Sequence, residues 1–170
     1  MDIPGVIMLK GRPKNLAGPQ LKEGDPAPDF RCLDTRLKRV TLADTGNNVR
    51  LFSVIPSLDT PICDMQTKRF NDESAKHDGL DIYSISTDLP FAEHRYCTIY
   101  GTDDIKMLSD HLDTSFGKAY GVLISDMRIL ARAIFVLDRN NIIRYVEYVS
   151  DLSHHPDYDT ALAKAKELAG

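Results

Sequence analysis

Long apolar stretches are missing from this sequence. Its longest wholly apolar run, AIFVL at 133–137, falls far below the roughly 18 residues that a membrane span requires. The start, MDIPGVIMLKG, carries no charged leader followed by a long apolar segment. A soluble, cytoplasmic protein is expected. A basic block is missing too: Lys and Arg number 21 against 25 Asp and Glu, for a net charge of −4 and a pI near 5.7. That balance argues against a nucleic-acid partner. Cysteine is scarce: Cys32, Cys63 and Cys97 are odd in number and far apart, unlike the framework of a secreted, disulfide-stapled domain. In a reducing compartment a disulfide among them is expected to be transient and catalytic. No repeat, low-complexity tract or long polar linker interrupts the chain, and 170 residues at 42% hydrophobic content suit one domain, 1–170, with a single sizeable core.

What is present alternates between strand and helix patterns. VIML and NLAG around the KGRPK turn predict a small hairpin within 1–19. GDPAPDF leads into two short strand candidates, FRCLD and RVTLA. VRLFSVI, at 49–55, is rich in β-branched and aromatic residues, as a strand buried on both faces is. A helix is expected over CDMQTKRFNDESAKH, closed by the DG at 78–79, then a strand at LDIYSIST. Asp88 and Pro90 open a second helix that stops at Gly101. IKMLSD reads as a strand, TSFGKAYGV as a short helix or turn, and RAIFVLD with IIRYVEYV as a hairpin about RNN. After Pro156, Tyr158, Leu162, Ala165 and Leu168 recur at helical spacing. The order predicts a central mixed sheet with helices on both faces.

The stretch IPSLDTPICDMQ, at 55–66, concentrates the chemistry. Thr60 is a favoured N-cap type and Pro61 suits the first helical position, which puts Cys63 third, within the first turn. In a capping box a carboxylate at that third position faces unsatisfied amides. A thiolate there gains similar stabilisation from the amides and the helix dipole, and the thiolate is the nucleophile. Position alone serves equally well a plain Thr cap and a small buried cysteine.

Other residues bear on that choice. Arg132 interrupts the apolar LARAIFVLD, and a buried guanidinium needs an anionic partner; a thiolate, a carboxylate or an outward-facing strand end each meets the need. Cys97 falls late in PFAEHRYC, beside His94 and Arg95, where an ordinary helical cysteine is also at home. Cys32, in FRCLD, reads as a packed strand cysteine. The His154–His155 pair next to Pro156 reads as exposed loop. Phe91 and Tyr96 are candidates for lining an apolar pocket. A zinc site from Cys32, Cys63, Cys97 and His94 lacks the paired short spacing of structural zinc, and a disulfide oxidoreductase would need the Cys-x-x-Cys pair that is absent here.

PSLDTPIC resembles the peroxiredoxin signature Pro-x-x-x-Thr-x-x-Cys, through Pro56, Thr60 and Cys63, and the sequence is similar to the bacterial thiol peroxidase subfamily. GDPAPDF, FSVIPSLDT, STDLPFAEHRYC, AYGV, ARAIFVLD and PDYDTAL follow that subfamily in order, so the resemblance covers nearly the whole chain. It implies a thioredoxin-like fold, a homodimer, thioredoxin as reductant, and no metal or organic cofactor. It implies Cys63 as the peroxidatic cysteine and Cys97 as the resolving one within the same chain. Thr60 and Arg132 are the implied active-site partners and Pro56 the loop-shaping proline; Cys32 matches no catalytic position. The implied activity is reduction of hydrogen peroxide and alkyl hydroperoxides, with a peroxide-sensing relay through the same Cys63 chemistry as the alternative. Cα atoms more than about 7 Å apart cannot be bridged without backbone movement, so the helix bearing Cys97, the first turn at Cys63, or both are expected to unwind locally.

Overall fold

The computed structural model describes residues 2–170. An N-terminal hairpin, β1 (Asp2–Leu9) and β2 (Arg12–Ala17), is followed by two short strands, β3 (Cys32–Leu33) and β4 (Arg39–Val40). Then come β5 (Val49–Val54), α1 (Pro61–Ser74), β6 (Leu80–Ser86), α2 (Pro90–Tyr100), β7 (Lys106–Ser109) and α3 (Ser115–Ala119). The chain ends with β8 (Leu123–Ile124), β9 (Ile129–Leu130), β10 (Ala133–Leu137), β11 (Ile143–Tyr148) and α4 (Tyr158–Ala169). Seven strands form a mixed sheet in the order β11-β10-β5-β6-β7-β3-β4. β5, β6 and β7 run parallel through crossovers that contain α1 and α2, and the remaining pairs are antiparallel.

Alternation along the central strands sends side chains into two cores. Phe52 and Val54 of β5, Ile85 of β6 and Phe135 of β10 pack with Ile7, Leu16, Phe116 and Leu123. Leu51, Ile82, Ile134 and Val136 point the other way, onto Cys63 and Phe70 of α1, Tyr96 of α2, and Ala161, Leu162 and Ala165 of α4. Helices on both faces were expected. One face does carry α1, α2 and α4, but the other is covered by α3 together with a small sheet, β1-β2-β8-β9. Its β8 and β9 are two-residue strands, too short for alternation to reveal. The hairpin joins the body by close backbone approach: a Cβ on Gly121, at φ +67°, would sit 1.9 Å from the Pro19 carbonyl oxygen. Only glycine fits there.

The face toward the small sheet is held by rings. Phe116 and Tyr120, one helical turn apart, stack at 4.1 Å, and Phe30, Phe52 and Phe135 meet them edge-on. Such pairs add about 0.5–1.5 kcal/mol each beyond their buried area. Asp110 sits beside this cluster. Its carboxylate accepts from the Phe116 and Gly117 amides at 3.0 and 2.8 Å and from the Cys32 thiol at 3.7 Å.

Burial pushes the Asp110 carboxyl up from 3.8 to about 6, against the pull of those donors. A folded pKa above the unfolded one means that the stability contributed is complete below about pH 4 and is lost as pH rises through about 6. The loss is on the order of 3 kcal/mol. Urea midpoints should therefore fall between pH 4 and pH 6.5 by more in the native protein than in Asp110→Asn. Parallel pH profiles for the two proteins would mean that this carboxyl titrates normally.

Candidate active site

β5 carries the chain through Ile55 to Pro56, which is buried at the strand's end, and a short loop then delivers it to α1. Thr60 is extended (φ −114°, ψ 146°) at the N-cap, Pro61 occupies the first helical position, and Asp64 N donates to the Thr60 carbonyl at 2.9 Å. The cap differs from the sequence expectation in one respect. The Thr60 hydroxyl makes no capping bond; it donates back to the Ser57 carbonyl at 3.0 Å, closing the loop on itself.

Cys63, in the first turn of α1, has 0% of its surface exposed. Arg132, 2% exposed, reaches it from the other side of the core, with Nη1 donating to the Cys63 Sγ at 3.4 Å. The same Nη1 donates to Gln66 Oε1 at 2.8 Å, and Nη2 donates to the Leu152 carbonyl at 2.9 Å. Arg132 does not interrupt a strand, as the sequence suggested, but occupies the break between β9 and β10. Its side chain follows the alternation of β10, in which Ile134 and Val136 face the helices, and so turns onto the helical face.

Gln66 is the residue that sequence reasoning missed. It passes the network on, donating from Nε2 to Ser53 Oγ of β5 at 2.7 Å. Helical spacing held the signal: Cys63, Gln66, Thr67, Phe70 and Asn71 are the buried residues of α1, one continuous stripe. A glutamine three residues after a buried cysteine therefore faces the same way. Ser53, the polar residue between Leu51 and Ile55 on the helix-facing side of its strand, was the matching clue.

The other sequence candidates divide clearly. Cys97 lies half-buried on α2 and lines a cleft of about 720 Å³ with Phe91, His94, Thr98 and Lys106. Burial raises its thiol pKa. All three cysteines are free thiols. Cys32 belongs to the aromatic core on the opposite face of the sheet from Cys63, and burial together with Asp110 drives its thiol far above the ordinary range. Tyr96 is buried and hydrogen-bonded, whereas Phe91 is 69% exposed at the edge of the Cys97 cleft. His154 and His155 are exposed, and His155 Nδ1 lies 2.8 Å from the Tyr158 hydroxyl. No cluster of three or more His, Cys, Asp or Glu able to hold a metal exists among the described residues, so the zinc combination of Cys32, Cys63, Cys97 and His94 is not assembled. No helix among them is long and apolar enough to cross a membrane.

Comparison with known proteins fits this geometry. The Redoxin family model matches residues 22–162. A thiol peroxidase of Halalkalibacterium halodurans is 51% identical over 160 residues, 94% of this chain and 96% of that one. A thiol peroxidase of Bacillus subtilis is 49% identical over 162 residues, 95% of this chain and 97% of that one. Among solved structures, a peroxiredoxin-like protein from Aquifex aeolicus superposes with a TM-score of 0.90 at 36% identity, covering 96% of this chain and 97% of that one. The architecture is thus thioredoxin-like, with the hairpin ahead of the matched family region.

Gln66 supplies a test of the network. Gln66→Met keeps the bulk but leaves Nη1 of Arg132 without its best neutral acceptor. Iodoacetamide should alkylate Cys63 about tenfold more slowly at pH 7, with a stability loss of about 1–3 kcal/mol. An unchanged alkylation rate would show that Gln66 does not orient the guanidinium.

Proposed function

The chain belongs to the Redoxin family, as a thiol peroxidase of the peroxiredoxin kind, and from that premise we propose that Cys63 is the peroxidatic cysteine and Cys97 the resolving one of a single-chain cycle. The Cys63 thiolate attacks one oxygen of a hydroperoxide, the O–O bond breaks, and the leaving oxygen takes a proton to depart as water or alcohol. Cys63 is left as the sulfenic acid. The Cys97 thiol then condenses with it, releasing water and forming the Cys63–Cys97 disulfide before oxidation to the sulfinic acid intervenes. A dithiol reductant of the thioredoxin kind reopens the bridge by exchange and leaves with the disulfide.

The observation that carries this reading is the buried guanidinium at 3.4 Å from the Cys63 sulfur, in the first turn of a helix. Charge moves from sulfur to the departing oxygen during the attack, and a fixed donor fork in a dry site favours both ends of that path. Thr60 serves the peroxide after its hydroxyl turns from the Ser57 carbonyl, and the buried Pro56 keeps water from the sulfur. Hydrogen peroxide and organic hydroperoxides are the substrates. The working form is a cytoplasmic homodimer. No metal or organic cofactor enters the cycle.

Peptide mass mapping after one equivalent of cumene hydroperoxide, with free thiols blocked, should yield a Cys63–Cys97 linked peptide and an unmodified Cys32. Cys63 remaining a thiol would refute the first step. A reaction that stops at the sulfenic acid would remove Cys97 from the cycle and favour a peroxide-sensing relay. Arg132→Lys, which replaces a planar fork by a point charge, should lower the second-order rate with peroxide by on the order of 10²-fold, read by stopping the reaction and counting free Cys63.

A further inference from the structure

α2, which carries Cys97, is weakly held by apolar packing. Only Pro90, Glu93 and Tyr96 of it are buried, while Phe91, Ile99 and Tyr100 face outward. Glu93 is a weak anchor: its Oε1 accepts from Ser86 Oγ at a long 3.4 Å, its Oε2 finds no partner, and burial raises its carboxyl well above the ordinary range. Polar bonds do the holding, and they end on the segment that carries Cys63. At one end of α2, the Asp88 carboxylate accepts from Ser57 Oγ at 2.8 Å and from the Leu58 amide at 2.8 Å. Ser86 Oγ adds a third bond to it at 2.9 Å. Further along, the Tyr96 hydroxyl donates to Asp64 Oδ1 at 2.6 Å, beside Cys63 itself, and Lys68 holds the other oxygen of that carboxylate at 2.9 Å.

We propose that Asp88 and Tyr96 form a two-point clasp between the Cys63 loop and the Cys97 helix, and that opening of this clasp sets how long the Cys63 sulfenic acid persists before the disulfide forms. Both are positioning residues, since neither touches the sulfur. The inference rests on the peroxidase cycle proposed above and adds to it the element that limits its second step. With the clasp shut, Cys63 stays in its core and Cys97 faces its cleft. With it open, α2 has lost its principal polar ties and only a small apolar anchor remains. A segment held by few buried apolar contacts is one that opens locally without global unfolding.

Tyr96→Phe and Asp88→Asn test this in the full-length protein. Reduced protein is mixed with cumene hydroperoxide, quenched at intervals, and its thiol, sulfenic, sulfinic and disulfide forms are counted by mass. Each variant should form the disulfide about tenfold faster, the size of one hydrogen bond to a charged group. The sulfinic yield under excess peroxide should fall in proportion. Ser57→Ala added to Asp88→Asn should bring less than its separate effect, because the two share a bond. Amide exchange should rise in 90–100 and stay unchanged in β5 and β10, which general destabilisation would not reproduce. Disulfide formation at the native rate in both variants overturns the clasp and leaves the peroxidase reading standing. A Cys63 thiol that survives peroxide in the native protein overturns both.

Discussion

Everything on the helical face is arranged around one uncomfortable object, the guanidinium of Arg132 in a core that excludes water. A charge in that position costs several kcal/mol unless it is answered by hydrogen bonds. The answers come from three separate parts of the chain: Cys63 and Gln66 on α1, with Ser53 of β5 behind Gln66, and the Leu152 carbonyl beyond β11. Satisfying one side chain thereby fixes where α1 begins, how it is rotated and where the loop before α4 lies. Two of the three direct acceptors are neutral amide-type oxygens. The third is the Cys63 sulfur, the one direct partner of the fork that is not an oxygen.

A second arginine in the same strand system shows what a merely structural solution looks like. Arg50, on β5, is as deeply buried as Arg132. Its donors go to Thr45 Oγ1 at 3.2 Å and to the Gly46 and Asp138 carbonyls at 2.8 and 2.7 Å, all neutral oxygens. Burial lowers its pKa. Nothing reactive lies at the end of that fork. Both arginines leave Nε without a partner, so incomplete satisfaction does not set Arg132 apart. What does is that one of its N–H groups is spent on sulfur, a weaker acceptor than any carbonyl.

How much of this was legible in the sequence follows from how far each signal reaches. Periodicity and punctuation are local, and they located the parallel strands, the four helices and the αL stop of α2 at Gly101, whose φ is +64°. Spacing within one helix turn placed Cys63 in its first turn. Signals that depend on distant chain segments were weaker. Arg132 was recognisable as a buried charge needing a partner, yet whether it met a thiolate, a carboxylate or solvent depends on tertiary packing 69 residues away. Gln66 escaped notice because polar residues are normally assigned to the outer face, whereas the inner stripe of α1 contains Gln66, Thr67 and Asn71. Asn71 is there because its Oδ1 accepts from the Asp104 and Ile105 amides, a loop that no local pattern places beside it. Thr60 does take the N-cap position, but its hydroxyl donates to the Ser57 carbonyl and accepts nothing from the first-turn amides, an outcome set by the path of the loop and not by the residue type.

The two faces of the sheet use different cohesion, and the difference fits their tasks. The face toward the hairpin is held by a continuous cluster of rings around Phe52 and Phe116. Such contacts are non-directional and shared among many neighbours, so no single break loosens them. The helical face replaces part of that packing with a few directional bonds: Arg132 to Gln66, Tyr96 to Asp64, Asp88 to Ser57 and Leu58. Each is broken by a small rotation at a cost of one bond, and each is regained when the partners return. The proposed cycle, in which two thiols on separate helices alternate between separation and bonding, would call on cohesion of that second kind where the helices meet. It would call on the first kind beneath them, to keep the sheet and Arg132 in place.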